Sequence, residues 1–428
     1  MLKILLLSDI HFLYCEEHQD RYRLLKQALL NEMDSYGQNN EIDALIICGD
    51  IAFSGQETQY NIAEKYFEEI LKKFSSNAKK PLVFVVPGNH DVDRNPFKHT
   101  RRLFRDTFLE SQRVAEDCLD GIKRNETATL KMLYKPFKAY NDFADKYSST
   151  DRIAETIMAG SDSFDGTNYS YEHTLGKLGD YVVNIVGLNS ALICDAEDIR
   201  DAYNITRNQH KLFLPFCAYN VNTDPYLINV SVMHHPFGWM QNGSDLDSEF
   251  DARFKLQLFG HIHCQSVYQK DNDEQNPIKI QAGSLQPGED EDGNKYAPRY
   301  SFIELSVEND KLHVVVKCRK WHKPHFEDDT DPSSTADKWV LLQDKKLWTR
   351  KQKTAAKAME VEVKQAPSLY ELRYRLTKSS HKKEIIDSLM PGAYDKNKPQ
   401  YANTILFFNA IVEKGREGEL QAELDKYE

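Results

Sequence analysis

The 428 residues carry 66 acidic and 55 basic side chains, a formal charge of −11, and 40% of them are hydrophobic. That length accommodates one large domain with a smaller companion, and the charge excludes a broad electrostatic grip on nucleic acid, although bound divalent cations would invert the field at a site. No apolar run reaches membrane-span length, and the seven scattered cysteines contain no C-x-x-C pair, so a disulfide framework and a thiolate zinc site are excluded and a reducing cytoplasm is expected.

The chain opens on LKILLL, too short for a signal-peptide core and read as a buried strand. Runs rich in Val, Ile and Leu predict strands at 3–8, 43–48, 81–86, 181–188, 226–233, 256–259, 277–282, 300–307 and 312–318. Between the second and third, the stretch 56–74 places Ala63, Tyr66, Phe67, Ile70, Leu71 and Phe74 on one helical face. Early strand–helix alternation predicts an α/β domain, and the closely spaced later strands predict antiparallel hairpins. Residues 97–147 interrupt the rhythm with a helical insertion carrying Leu130, Leu133, Tyr134, Phe137 and Tyr140; it either packs as an accessory pair or overhangs a site as a cap. The acidic, polar stretch 326–338 is the expected boundary. The division is therefore a domain over 1–326, a linker and basic segment over 327–366, and a small all-α unit over 367–428 with Gly415 as a helix C-cap.

Five apolar segments hand over directly to Asp, Asn or His: Asp9-Ile10-His11, Gly49-Asp50, Gly88-Asn89-His90-Asp91, His234-His235 and Gly260-His261-Ile262-His263. In α/β sheets the carboxyl ends of strands are where sites form, and Gly49, Gly88 and Gly260 are expected to turn the backbone sharply there. Asp9, His11, Asp50, Asn89, His234, His261 and His263 make a mixed O/N donor set suited to Mn, with Fe, Zn or Ni as alternatives. Seven donors exceed one tetrahedral site and suit two ions about 3.5–4 Å apart with a bridging carboxylate. Asp50 is the expected bridge, with Asp9, His11 and His263 completing one ion and Asn89, His234 and His261 the other. His90 is expected to protonate the leaving oxygen or stabilise developing charge.

In this order, D-x-H, G-D, G-N-H-D, H and G-H-x-H resemble the calcineurin-like metallophosphoesterase superfamily, over about residues 1–326. The resemblance implies a β-sandwich flanked by helices with a dimetal site at one edge, the same ligand positions, and hydrolysis of phosphate esters. GNHDVDR, LNS and HHPFGW look most like the bacterial cyclic-nucleotide-phosphodiesterase-type branch, which implies a phosphodiesterase acting on a nucleotide or nucleic acid. A phosphomonoesterase acting on nucleotides or phosphoproteins is the alternative. A further alternative is a partner-recruited effector, because the ending of 367–428 resembles helical adaptor domains of bacterial conflict (antiphage) systems. A nuclease would need a basic channel, for which KHTRRLFR at 98–105 is the candidate. Arg94 either holds a phosphate oxygen or pairs with a neighbouring acid; His235 either touches substrate or bonds to the ligand shell. His18, His99, His173, His210, His313, His322, His325 and His381 form no ligand spacing, and the acidic loop 283–296 either borders the site or turns in solvent.

Overall fold

A computed structural model of the chain describes residues 1–12, 19–74, 80–95, 114–115, 135–147, 170–194, 212–286, 288–289 and 295–342, together with 381–393, 416–427 and isolated positions between 376 and 414. The backbone divides into two compact units, Met1–Lys345 and Lys346–Glu428.

The first unit is a sandwich of two sheets. β1 (Leu2–Leu7), β2 (Ala44–Ile47) and β3 (Leu82–Val85) run parallel, linked by α1 (Gln19–Gly37) and α2 (Glu57–Lys72). Such strands lack alternation because both faces are covered. Ile4 and Leu6 turn into the sandwich, whereas Leu5 and Leu7 face the helices, and all four are buried. On α2, Ala63, Tyr66, Phe67, Ile70 and Leu71 form the buried face that the spacing predicts, and Phe74 follows it into the same cluster.

The second sheet has the order β4-β5-β6-β7-β9-β8, from β4 (Ser170–Leu178), β5 (Tyr181–Leu188), β6 (Leu227–Met233), β7 (Leu256–Phe259), β8 (Ser266–Gln269) and β9 (Ile278–Gln281). Val183, Ile185, Val230, Val232, Leu258 and Ile280 meet the inner residues of the first sheet. A two-stranded ribbon, β10 (Gly288–Glu289) with β11 (Lys295–Tyr296), follows. β12 (Arg299–Glu308) then pairs antiparallel with β1 and β13 (Lys311–His322).

The expected boundary at 326–338 falls inside this sheet. β14 (His325–Asp328) and β15 (Ala336–Leu341) both pair with β13, and Val340 is buried in the sandwich. The acids between them serve a turn: Asp329 takes the Arg299 Nε–H bond at 2.7 Å and the Asp331 backbone N–H at 3.2 Å. The polar composition there marks a loop between two strands, and the compact unit runs on to Lys345.

Of the 97–147 insertion, a turn at Lys135–Phe137 and α3 (Lys138–Ala144) bury Phe137, Tyr140 and Phe143, so these residues pack as the first alternative expects. Leu130, Leu133, Tyr134 and the 98–105 basic run lie outside the described residues. α4 (Gly243–Arg253) follows β6. In the second unit, α5 (Lys382–Leu389) and α6 (Glu417–Leu424) contribute Ile385, Ile386, Leu420 and Leu424 to a small apolar cluster with Leu376, Phe407 and Ile411; Gly415 lies outside the described residues. Among the described residues, no helix is long and apolar enough to cross a membrane.

Candidate metal centre

At the ends of β1, β2 and β7 the backbone turns left-handed on non-glycine residues: φ is 51° at Asp9, 49° at His11, 52° at Asp50, 77° at His261 and 63° at His263. That conformation costs about 1–2 kcal/mol per residue. Interlocked loops hold it in place. Asp9 N–H bonds to Gly49 O at 3.1 Å, Ile10 and His11 N–H to Asp50 O at 2.9 and 3.0 Å, and Phe12 N–H to Ile51 O at 2.9 Å. From the segment after β9, Ser284 Oγ donates to Asp9 O and its N–H donates to His263 O, at 3.0 and 3.2 Å. Backbone strain concentrated in this way belongs to sites that the surrounding fold over-determines.

The three expected turn glycines divide by role. Only Gly49 is left-handed, with φ of 88°. Gly88 is extended, with φ of −101°, and a Cβ there would stand 2.6 Å from Asp50 N and collide with its carboxylate. A Cβ on Gly260 would strike Cys48 O and Ser8 Oγ. At these two positions the need is clearance for neighbouring strand ends.

The seven sequence-predicted donors converge. His234 Nδ1–H donates to Cys48 O at 2.7 Å, which aims Nε2 inward. Around that Nε2 stand Asn89 Oδ1 at 3.2 Å, His261 Nδ1 at 3.3 Å and Asp50 Oδ2 at 3.3 Å. A tetrahedron with bonds of about 2.0–2.1 Å has edges of about 3.3 Å, and each of the three atoms stands about that far from His234 Nε2. Beside them, Asp9 Oδ1 stands 3.1 Å from His263 Nε2 and 3.9 Å from His11 Nε2, and His11 Nε2 stands 3.7 Å from Asp50 Oδ2. Asp50 Oδ2 therefore faces both groups, while Asp50 Oδ1 is held by the His90 backbone N–H at 2.8 Å.

The donor chemistry fits divalent cations. Asp9 Oδ1, which faces the cluster, is buried without a hydrogen bond. Burial pushes Asp9 and Asp50 upward, but His263 beside the first and His234 beside the second prevail, and both carboxyls lie well below their usual range. Burial lowers His11 and His261 to about 3; it opposes the charged form of His234 too, yet the Asp50 carboxylate raises that imidazole to about 9. Buried ionised carboxylates thus draw positive charge onto His234 and His263 while His11 and His261 stay neutral, an arrangement in which a bound cation could take the place of the imidazole protons.

Around the donors, His90 gives its Nδ1–H to Phe53 O at 2.7 Å, and its ring lies 4.6 Å from that of His11. One of its ring nitrogens also lies within 4.8 Å of ligand atoms of His11 and Asp50. Arg94 Nη2 donates to Asn89 O at 3.1 Å; its Nε is buried without a partner, and the expected ion pair is not formed among the described residues. His235, expected to touch substrate or to bond to the ligand shell, is buried against the ligands. It shares a 2.9 Å hydrogen bond with Ser190 through Nδ1, and Cys194 Sγ lies 3.9 Å from Nε2. Enclosure on all sides removes it from substrate contact.

Four residues escaped sequence reasoning. Asp91 accepts N–H bonds from Gly88 and Ala52 at 2.9 Å and the Tyr60 hydroxyl at 2.8 Å, tying two ligand loops together. Tyr296, on the acidic loop, shares a 2.6 Å hydrogen bond with His263 Nδ1, so that loop borders the site. Ser190 of LNS fixes His235, and Trp239 of HHPFGW sets its ring 4.4 Å from His261. The last two lay within motifs already noticed; for Tyr296 the only signal was the position of its loop.

The chain is 25% identical over 322 residues to the uncharacterized metallophosphoesterase-like protein YydB of Bacillus subtilis, covering 73% of this chain and 58% of that one. The chain thus spans somewhat over half the length of that curated relative. Among solved structures, a purple acid phosphatase from yellow lupin (Lupinus luteus) is 12% identical with a TM-score of 0.36, covering 81% of this chain and 54% of its own. Vacuolar protein sorting 29 from Cryptosporidium parvum is 11% identical with a TM-score of 0.32, covering 78% and 97%. The calcineurin-like phosphoesterase family profile matches residues 2–265, well over half of the chain, and with the motifs at these strand ends the chain belongs to that family.

Proposed function

We propose that the chain is a dimetal-dependent phosphodiesterase acting on nucleotides or nucleic acid, with Asp50 bridging two ions. The observation that carries this reading is the position of Asp50 Oδ2, 3.3 Å from His234 Nε2 and 3.7 Å from His11 Nε2. Asp9, His11 and His263 complete one ion, and Asn89, His234 and His261 the other. Two divalent ions held there, Mn²⁺ by preference, would lower the pKa of water toward neutrality and offset the charge of phosphate oxygens.

The chain's own residues do the rest. The Phe53 carbonyl commits the Nδ1 proton of His90, so a proton for the leaving oxygen would ride on Nε2 of the imidazolium form, which burial disfavours and the Asp50 carboxylate and Phe53 carbonyl support. Arg94 keeps Nε without a partner beside the Asn89 loop, which supports contact with a non-bridging phosphate oxygen. Tyr296 fixes which nitrogen of His263 is free for the ion. The choice of a diester follows the motif resemblance. The 367–428 unit has its own apolar cluster and is assigned to recruitment of a protein partner.

Turnover of bis-p-nitrophenyl phosphate against p-nitrophenyl phosphate on one Mn²⁺-loaded preparation tests the substrate class. A diester rate well above the monoester rate is expected. A monoester preference would replace the diester assignment by the phosphomonoesterase alternative.

A further inference from the structure

The hairpin of β13 and β14 carries a second group of donors unrelated to the buried centre. His322 and His325 are directly opposed across the pair, joined by the two-residue turn Lys323-Pro324. Opposed residues share a face, and Glu327, two positions beyond His325, shares it as well. A ligand atom from each of the three lies within 4.8 Å of the others. The sequence reading gives these histidines no ligand spacing; the tight turn supplies it by folding the chain back on itself.

The contacts of these side chains are directed at one another. Glu327 Oε2 reaches diagonally to His322 Nδ1 at 3.5 Å and forms no ion pair with Lys320, which stands directly opposite it. The two imidazole rings are 6.1 Å apart. Beneath them the hairpin is anchored: Trp321 and Phe326 point to the other face, meet edge-on with centroids 5.2 Å apart and are buried in the core. The platform is thus regular sheet with a packed underside, which holds donors more firmly than a loop does. The donors themselves remain open to solvent, with His322 71% and Glu327 49% exposed.

We propose that His322, His325 and Glu327 bind one exchangeable divalent ion of borderline character, Zn²⁺ in the first instance. Two imidazoles and one carboxylate without thiolate suit Zn²⁺, Ni²⁺ or Cu²⁺ over Mg²⁺ or Ca²⁺, and three protein ligands leave positions for water. The solvent-facing site admits and releases its ion without passing through the buried centre.

Chelator-stripped full-length protein titrated with Zn²⁺, in competition with a chromophoric zinc chelator, tests the assignment. Wild type, His325→Ala, Asp50→Ala and the double variant are compared. His325→Ala is expected to bind one equivalent fewer than wild type, with the same drop between Asp50→Ala and the double variant. Equal uptake within both pairs overturns the surface site. The buried centre is read separately: uptake by Asp50→Ala equal to wild type would sink the dimetal reading and leave the hairpin untouched. Glu327→Gln is expected to weaken the same equivalent about tenfold, and unchanged affinity would overturn the three-ligand site.

Discussion

Around His234, three donor atoms stand 3.2–3.3 Å from Nε2, and the ring itself is fully enclosed with its far nitrogen on the Cys48 carbonyl. Around Asp9, the corresponding spacings run from 3.1 to 3.9 Å, and His263 is 30% exposed. The two halves share the Asp50 carboxylate yet differ in how they are held. The His234 half is set by strand ends packed inside the sandwich. The Asp9 half ends in a side chain that reaches the surface, where the Tyr296 hydroxyl from the following ribbon holds it. On the proposed assignment, the enclosed half is expected to retain its ion and the open half to exchange it and leave room for water and substrate.

Removing what the halves share breaks the comparison outright. Asp50→Ala should lose both ions and lower turnover by about three orders of magnitude, measured as metal content after desalting and as diester hydrolysis. Retention of both ions with near-wild-type turnover would eliminate the bridge. His90→Ala comes next. It should keep the metal content and slow turnover about 10²-fold, because its side chain contributes a proton and not a ligand. One of its ring nitrogens lies within 4.8 Å of ligand atoms of His11 and Asp50, so loss of one ion in that variant would move His90 into the coordination shell.

Tyr296→Phe separates the two halves. The ring remains while the hydroxyl bonded to His263 Nδ1 is gone, so the more weakly held ion should lose about 10- to 100-fold in affinity while the other keeps its own. A stepwise metal titration reads the two affinities separately. Equal weakening of both ions would mean that the halves are not independent, and no weakening would reduce Tyr296 to packing.

How much of this was legible depends on the distance over which each cause acts. The donors could be read because each sits at the end of its own apolar strand, and parallel strands with a common register bring such ends together. The helical face of α2 was readable for a similar reason, since its periodicity is local. The left-handed backbone at Asp9, His11, Asp50, His261 and His263 was not, because Asp and His enter that region more often than most residues yet only as a minority conformation, and the hydrogen bonds that impose it come from other loops. Asp91 looked like part of a motif; its work, bridging Gly88, Ala52 and Tyr60, exists only once β2, β3 and α2 are assembled. The misplaced boundary at 326–338 has the same origin. Composition marks where a chain is polar, and only pairing with β13 decides whether the residues on either side are strands.

The smallest expected effect concerns the underside of the Asp9 half. Lys26 on α1 packs its Nζ 3.9 Å above the Phe12 ring, beside a small crevice lined by Ile10, Leu25, Leu29, Tyr66 and Leu285. Burial lowers this amine from its ordinary 10.5 to about 7. Between those values the unfolded chain binds the proton that the folded chain releases, so this group's contribution to stability rises with pH from about 7 to about 10.5; below 7 the folded state carries the full penalty of the buried charge. Lys26→Met removes the penalty and keeps the apolar stem. The variant should therefore melt above wild type at pH 7, and the gap should close as pH rises toward 10, with both metal affinities unchanged. A gap that is constant with pH would mean that the amine is charged and compensated in the fold. A change in metal affinity would show that the packing under Ile10 and Phe12, and not only the hydrogen bonds above it, sets the geometry of the open half.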